Sequence, residues 1–230
     1  MTELYGDGIG RVELVDHMGN DKRVVDAARV SFNKHERSTE IDDTDIKLIN
    51  FLMRERHTSP FEHCTIQWKF VVPMFVARQH MRHRTFSFNE LSRRYTDENI
   101  QFYKPKSYRT QHESNRQASN NEYINPVLFS EGCNMAEEVE HHCQESLALY
   151  HQATIRGVAR EQARMLLPQN LYTEYYGTVS LHNAMHFVKL RLDRHAQYEI
   201  QLVAKAMLED MQKLFPVSIA AWRKYNEQKN

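Results

Sequence analysis

The hydrophobic and polar residues of the chain follow strand spacing in some segments and helical spacing in others. From Cys64 to Val72 the pattern has a period of two residues. One face carries Cys64, Ile66, Trp68, Phe70 and Val72, and the other carries Thr65, Gln67 and Lys69. A period of two residues is typical of a strand with one buried face. The sequence also predicts strands at residues 11–15 and at residues 171–179, a segment rich in tyrosine and threonine.

Apolar residues three to four positions apart predict the helices. In the first half of the chain, helices are predicted to begin at Asp21, Asp42 and Pro73. In the second half, one helix follows Ser180, whose hydroxyl suits a helix N-terminus, and a long last helix covers residues 195–215. We therefore expect the α/β fold class in its mixed α+β form, with a central sheet flanked by helices and long C-terminal helices.

Chain length and one polar stretch define the expected domain organisation. A chain of 230 residues fits a single domain with its own core. Residues 104–126 are polar and show little periodicity, so we expect a long surface loop there, a candidate mobile lid. With seven glycines, the sequence lacks both the dinucleotide fingerprint and the P-loop. Side chains must therefore supply most contacts to any phosphate.

Composition and charge narrow the class of protein. The hydrophobic fraction of 41% and the charged fraction of 26% are ordinary for a globular protein, and no apolar run approaches the ~20 residues that span a bilayer. The start of the sequence lacks the features of a secretory signal, so we expect a cytoplasmic protein. Basic and acidic residues number 30 each, which argues against a protein that coats nucleic acid. Three cysteines without C-x-x-C spacing suggest neither a disulfide scaffold nor a cysteine-rich zinc site.

Hydrogen-bond donors are concentrated around one carboxylate in residues 79–95, whose second half we expect to be a loop. The donors and the acid are Gln79, Arg82, His83, Arg84, Thr85, Ser87, Asn89, Glu90, Ser92, Arg93 and Arg94. Guanidinium groups bind phosphate through paired hydrogen bonds, so this composition suits a nucleotide phosphate or a dinucleotide pyrophosphate. Phe86 and Phe88 lie between the polar residues, where they face either the core or a planar ring. A basic, salt-bridged exposed turn is the alternative interpretation.

The order of residues in this segment resembles a family signature. Residues 82–95 read RHRTFSFNELSRRY, and about nine specified positions in fourteen match the signature of flavin-dependent thymidylate synthases. Residues 57–63, 75–79, 163–173 and 190–197 also resemble segments of that family. The resemblance covers most of the chain from about residue 20 to about residue 200.

The resemblance implies a site for dUMP, the nucleotide that these enzymes methylate to dTMP. The implied dUMP contacts are Gln79, Arg82, Glu90, Ser92, Arg94, Arg164 and Arg191. Arg191 is the candidate catalytic residue, because the matching arginine of the family contacts the uracil ring and favours its N3-ionised form. A cation there stabilises negative charge on the ring and raises electron density at C5, which can then attack a methylene without an enzyme nucleophile.

The resemblance also implies FAD as cofactor. The implied FAD contacts are Ser59, Arg82, His83, Arg84, Glu90, Ser180, His182 and His186. The last three depart from the asparagine or arginine that the family often has there. Reduced flavin, regenerated by NADPH, supplies the hydride that completes the methyl group derived from 5,10-methylenetetrahydrofolate.

The family resemblance further implies a homotetramer with shared active sites, and we expect neither a nucleic-acid partner nor a membrane partner. His182 and Arg191 are nine residues apart on one predicted helix, so their side chains should point to opposite sides. They should meet different ligands, or one ligand from different subunits.

Other interpretations of these residues are open. His182 and His186 have the spacing of a zinc-binding helix, but Asn183 replaces the glutamate of zincins, and we expect no metal site. Cys64 beside His63 is a candidate nucleophile and base of the folate-only thymidylate synthases, although the strand pattern buries Cys64. Ser92 has no evident base to activate it as a nucleophile. An RNA-binding or nucleotide-sensing module and a metal-dependent phosphohydrolase are the alternative functions.

Overall fold

An antiparallel five-stranded sheet forms the centre of the protein in the computed structural model, which describes residues 1–32, 39–129 and 132–226. The strands are β1 (Thr2–Glu3), β2 (Arg11–Met18), β3 (Thr65–Pro73), β4 (Ser87–Glu90), β5 (Tyr108–Gln111), β6 (Ser119–Ile124) and β7 (Tyr172–Ser180). The order in the sheet is β1-β2-β3-β7-β4, and β5 pairs separately with β6. The predicted strands at residues 11–15, 64–72 and 171–179 are confirmed as β2, β3 and β7.

Helices flank this sheet. They are α1 (Asp21–Arg29), α2 (Asp43–Arg54), α3 (Met74–His80), α4 (Met135–Ile155), α5 (Arg160–Ala163), α6 (Leu181–Arg191), α7 (Tyr198–Leu214) and α8 (Pro216–Asn226), with 3-10 turns at Val30–Phe32, Ser59–His63 and Arg164–Leu166. The mixed α+β class with a central sheet and long C-terminal helices is therefore confirmed. In the three described ranges, no helix is long and apolar enough to cross a membrane.

The central strand β3 pairs with β2 on one side and with β7 on the other. The predicted inner face is confirmed, because Ile66, Trp68 and Phe70 have no exposed surface. The main core packs between this face and helices that include α6 and α7. Burying large side chains of this kind stabilises a fold by about 1.5–3 kcal/mol each.

The predicted helix starts at Asp42 and Ser180 are also correct. Asp42 and Asp45 form a capping box at the start of α2, in which the Asp45 N–H donates to Asp42 Oδ1 at 2.8 Å. Ser180 Oγ accepts a hydrogen bond from the Asn183 N–H at 3.4 Å at the start of α6. Ser180 is the last residue of β7, so this cap fixes the angle between the strand and the helix that carries Arg191.

Three expectations about local structure were wrong. Residues 104–126 include the β5–β6 hairpin, with Tyr108 opposite Ile124, instead of one long loop. The second half of the motif includes β4, which pairs with β7 at the edge of the sheet. The last helix is followed by α8, whose first turn is capped by Asp21, since its carboxylate accepts the Val217 and Ser218 N–H groups at 2.8 and 2.9 Å.

Candidate active site

A buried histidine anchors the start of the motif. His80, at the end of α3, has no exposed surface, and its Nδ1 lies 2.9 Å from the hydroxyl of Tyr175 on β7. Its ring is packed among Phe70, Phe86, Phe88 and Phe187, with ring centroids 4.6–5.1 Å away. Burial lowers the pKa of His80 well below its usual value, with smaller contributions from His83 and Arg191. The imidazole is therefore neutral at physiological pH.

The packing around His80 settles the role of the two motif phenylalanines. Phe86 and Phe88 lie with their rings stacked, 5.4 Å apart, and Phe86 is only 7% exposed. Both rings pack against the core, and Phe86 is too deeply buried to stack on a ligand, whereas Phe88 is partly exposed. The RNA-binding interpretation therefore loses Phe86 as a ring on which a base could stack.

Arg82, His83 and Arg191 form a basic group at the point where α6 approaches the motif. Arg191 Nε donates a hydrogen bond to His83 Nε2 at 3.0 Å. Burial, followed by the charges of Arg191 and His186, lowers the pKa of His83 to about 4. Burial and the nearby Arg82 lower the pKa of Arg191. Among the described residues, the neighbours that shift these two pKa values include no carboxylate, so the group is suited to an anionic ligand.

A second group surrounds Glu90 and Arg164, which line one cavity of about 500 Å³. Glu90 Oε1 accepts a hydrogen bond from Thr173 Oγ1 at 2.7 Å, which fixes the carboxylate against β7. Arg164 Nε donates to the backbone oxygen of Glu161 at 3.3 Å. The carboxylate of Glu161 lies 3.5 Å from the guanidinium of Arg94, so Arg94 borders the same group.

The motif also contains residues that serve the loop itself. Arg93 is buried and donates to the backbone oxygens of Glu98 and Asn99 at 2.6 and 3.3 Å. Ser92 Oγ accepts the backbone N–H of Arg94 at 3.3 Å, and the serine is partly exposed. Ser92 therefore shapes the turn that presents Arg94, while its hydroxyl hydrogen stays available to a ligand.

A third group lines a cavity of about 510 Å³ between α2, α6 and α8. His182 and His186 face this cavity together with the aromatic side chains of Phe61, Trp222 and Tyr225. Its cationic side chains are Arg54, Arg56 and Lys189, and Arg78 similarly lines the Glu90–Arg164 cavity. Sequence reasoning missed these four cations because isolated basic residues on helices and turns are most often solvated.

Three other predicted residues, Gln79, Ser59 and Arg84, are not among the side chains that define these groups. Gln79 is partly buried on α3, one turn before Arg82, and donates a hydrogen bond to Gln197. Ser59 is exposed at the first position of its 3-10 turn, and Arg84 is exposed beyond His83. On α6, His182 faces the cavity, whereas Arg191 contacts His83. Within one protomer, the predicted residues thus form three groups instead of one pocket.

The structure also bears on the alternative chemistries. Cys64 is fully buried, and burial raises the pKa of its thiol to about 11, so it is a core thiol and not a nucleophile. In the part of the chain that the structure describes, no three histidine, cysteine, aspartate or glutamate side chains are grouped to hold a metal ion.

Residues 13–217 match the family model described as thymidylate synthase complementing protein. A relative from Thermus thermophilus, named flavin-dependent thymidylate synthase, is 44% identical over 216 residues, which cover 94% of this chain and 76% of the relative. A relative from Ehrlichia ruminantium with the same name is 42% identical over 218 residues, covering 94% of this chain and 71% of the relative.

A solved structure extends the similarity to three dimensions. The UMP/dUMP methylase PolB from Streptomyces cacaoi, crystallised with 5-Br dUMP, superposes with a TM-score of 0.81 at 33% sequence identity. The superposition covers 98% of each chain, so it includes all three groups of candidate residues.

Proposed function

Because the chain belongs to the flavin-dependent thymidylate synthases, we propose that it methylates dUMP to dTMP by their reductive reaction. In this proposal, 5,10-methylenetetrahydrofolate donates the carbon and NADPH is the reductant. Bound FAD supplies the hydride that completes the methyl group. The burial of Cys64 supports a reaction that uses no cysteine nucleophile.

The basic group of Arg82, His83 and Arg191 is the observation that carries this proposal. The pKa of His83 near 4 keeps its imidazole neutral, so Nε2 accepts the Arg191 hydrogen bond and fixes the direction of that guanidinium. The remaining N–H groups of Arg191 are left for the uracil ring. A fixed cation there favours the N3-ionised ring and raises the electron density at C5, which attacks the methylene carbon.

The rest of the dUMP contacts come from Arg82 of the basic group and from the group around Glu90 and Arg164. Arg82, Arg94 and Arg164 are suited to the phosphate of dUMP, and the Ser92 hydroxyl adds a donor. Glu90 is held by Thr173 and can accept from the nucleotide or the flavin.

The cavity between α2, α6 and α8 is the candidate site for FAD. Its aromatic side chains can pack on the flat rings of the cofactor, and its cations Arg54, Arg56 and Lys189 can neutralise a pyrophosphate. His186 lines the cavity and also lowers the pKa of His83, so the cavity borders the Arg82–Arg191 group. The Ser180 hydroxyl already caps α6, which makes it the weakest of the proposed contacts.

We further propose a homotetramer in which each active site combines groups from different protomers. Glu90 and Arg164 line one cavity to which Arg82 and Arg191 do not contribute, and this supports such an arrangement. Mixed tetramers of Arg191→Ala and Arg164→Ala chains should regain dTMP synthesis, since some sites would then contain both native arginines. If each site came from one chain, mixing these inactive variants would restore nothing.

The central experiment is an absorbance spectrum of the purified protein with FAD, followed by anaerobic NADPH with and without dUMP. We expect bound-flavin bands that bleach faster when dUMP is present, and dTMP that appears only after methylenetetrahydrofolate is added. A protein that binds no flavin, or that forms no dTMP from these substrates, would overturn the proposal.

A further inference from the structure

A row of hydrogen bonds connects the β5–β6 hairpin to the predicted dUMP ligand Gln79. Arg109 of β5 donates to Glu199 Oε1 and Oε2 at 2.8 and 2.9 Å. Gln197 Nε2 donates to Glu199 Oε2 at 2.8 Å, and Gln79 Nε2 donates to Gln197 Oε1. We call the sequence Arg109, Glu199, Gln197, Gln79 the amide relay.

The amide relay has a direction that is set by its carboxylate. A carboxylate accepts hydrogen bonds and donates none, so Gln197 has to turn its NH₂ group towards Glu199. Its Oε1 then faces Gln79, which has to turn its own NH₂ group towards Gln197. The two ends of a glutamine amide have nearly the same shape, so this polarity decides which atom Gln79 presents elsewhere.

The carboxylate end of the relay is firmly held. The Glu199 side chain is 6% exposed and the Arg109 side chain 17% exposed, so this ion pair is largely shielded from water. Glu199 lies in the first turn of α7, where the helix dipole favours a negative charge. The guanidinium of Arg109 also lies over the ring of Tyr198, 5.0 Å from its centroid.

At the other end of the relay, Gln79 uses its NH₂ group for the contact with Gln197. Gln79 Oε1 has no hydrogen-bond partner among residues 1–32, 39–129 and 132–226, and Gln79 is only partly buried. We propose that Arg109, Glu199 and Gln197 are positioning residues that hold Gln79 with its carbonyl oxygen towards the nucleotide. This inference rests on the proposed function, in which Gln79 is a dUMP ligand.

The polarity of Gln79 identifies the group that it recognises. A carbonyl oxygen requires a donor, and dUMP with an ionised phosphate offers two, the uracil N3–H and the 3′-hydroxyl. Because the proposed reaction favours the N3-ionised ring, the 3′-hydroxyl is the donor that remains. The amide relay therefore makes the site selective for a nucleotide that carries a 3′-hydroxyl.

The test compares dUMP with 2′,3′-dideoxyuridine monophosphate, which lacks that hydroxyl, by calorimetric titration of the FAD-loaded enzyme. The native enzyme should bind dUMP about 10-fold more tightly than the analogue, as expected for one hydrogen bond in a partly buried site. Gln197→Met interrupts the relay while leaving the Arg109–Glu199 pair in place, and it should lose most of this preference. Gln79→Ala should lose it as well.

A double-mutant cycle separates the relay from general destabilisation. The Gln79→Ala/Gln197→Met enzyme should bind dUMP no more weakly than Gln79→Ala alone, since both changes remove the same contact. Gln201→Met is the matched control, because the Gln201 amide donates to Ala196 O at 2.7 Å on the same helix but lies outside the relay. It should keep the native preference. Glu199→Gln provides a second interruption should Gln197→Met fold poorly, and it too should weaken the preference.

Three results would overturn the relay: a native preference in Gln197→Met, additive losses of about 100-fold in the double variant, or unchanged binding in Gln79→Ala. Formation of dTMP by the native enzyme is measured alongside. If it proceeds while one of these results is found, only the relay is wrong. If the native enzyme forms no dTMP, the proposed function itself fails.

Discussion

Arg191 Nε and His83 Nε2 lie 3.0 Å apart, so the last turn of α6 is hydrogen-bonded directly to the motif that follows α3. Neither residue is neutralised by a carboxylate among the neighbours that shift its pKa. The contact therefore orients the Arg191 guanidinium without neutralising its positive charge. A cation held in this way can stabilise the negative charge that develops on a bound ring.

Replacing Arg191 with alanine should lower the rate of dTMP formation by at least about 100-fold, because the charge on the uracil ring loses its stabilising cation. FAD binding, measured from the flavin absorbance of the purified variant, should be retained. Arg194→Ala is the matched control, since Arg194 is exposed close by and should leave turnover unchanged. Native turnover in Arg191→Ala would refute its catalytic role.

Acidification should destabilise the protein through His83. Its pKa falls from an unperturbed 6.5 to about 4 in the folded state, mainly through burial, and also through Arg191 and His186. The unfolded chain consequently binds more protons between these values, so the free energy of unfolding should fall as the pH drops from about 6.5 to about 4.

His83→Gln should reduce this pH dependence in urea unfolding measured across that range, although His80 contributes in the same direction. His63→Gln is the matched control, because it makes the same substitution at an exposed histidine outside the contact with Arg191. An equal slope in the native protein and in His83→Gln would contradict the assignment.

Ser92→Ala should weaken dUMP binding by about 3- to 10-fold and affect FAD much less, because a single hydroxyl donor is lost. Calorimetric titration of the FAD-loaded enzyme with dUMP measures the change. Mass spectrometry of quenched reactions provides the counter-test. A covalent enzyme adduct that is present in the native protein and disappears in Ser92→Ala would show that the serine acts as a nucleophile.

Asp45→Asn should destabilise the fold by about 3–5 kcal/mol, the usual cost of removing one partner of a buried ion pair. Asp45 has no exposed surface, and its carboxylate lies 2.9 Å from Lys22 Nζ and 2.7 Å from the guanidinium of Arg29. Urea unfolding gives the free energy directly. Asp43→Asn, on the exposed first turn of the same helix, should cost less than about 1 kcal/mol.

The sequence predicts best those parts of the fold that depend on local periodicity. β3 follows from the alternation around Trp68, and the start of α6 follows from Ser180, because both signals lie within a few residues. The β5–β6 hairpin was not predicted, since its strands are polar and are held by Arg109, which pairs with a glutamate 90 positions away. The start of α8 depends in the same way on Asp21, far outside any local window.

The candidate site shows the same limit. The motif points to Arg82, Arg94 and their neighbours because their order is specific. It does not show that Phe86 and Phe88 enclose a buried histidine, or that Arg82 and Arg164 belong to separate groups. Both facts depend on how distant segments pack, as does the relay through Gln197 and Glu199.

The cap that Asp21 forms on α8 has a consequence for the order of folding. Asp21 and Ser218 are 197 positions apart, and α8 contributes Trp222 and Tyr225 to the proposed FAD cavity. Contacts between such distant positions form slowly, because closing a long segment of chain costs entropy before the contact stabilises anything. We therefore expect the cofactor pocket to be completed late in folding, so that flavin capture by a refolding chain would report a late step of the pathway.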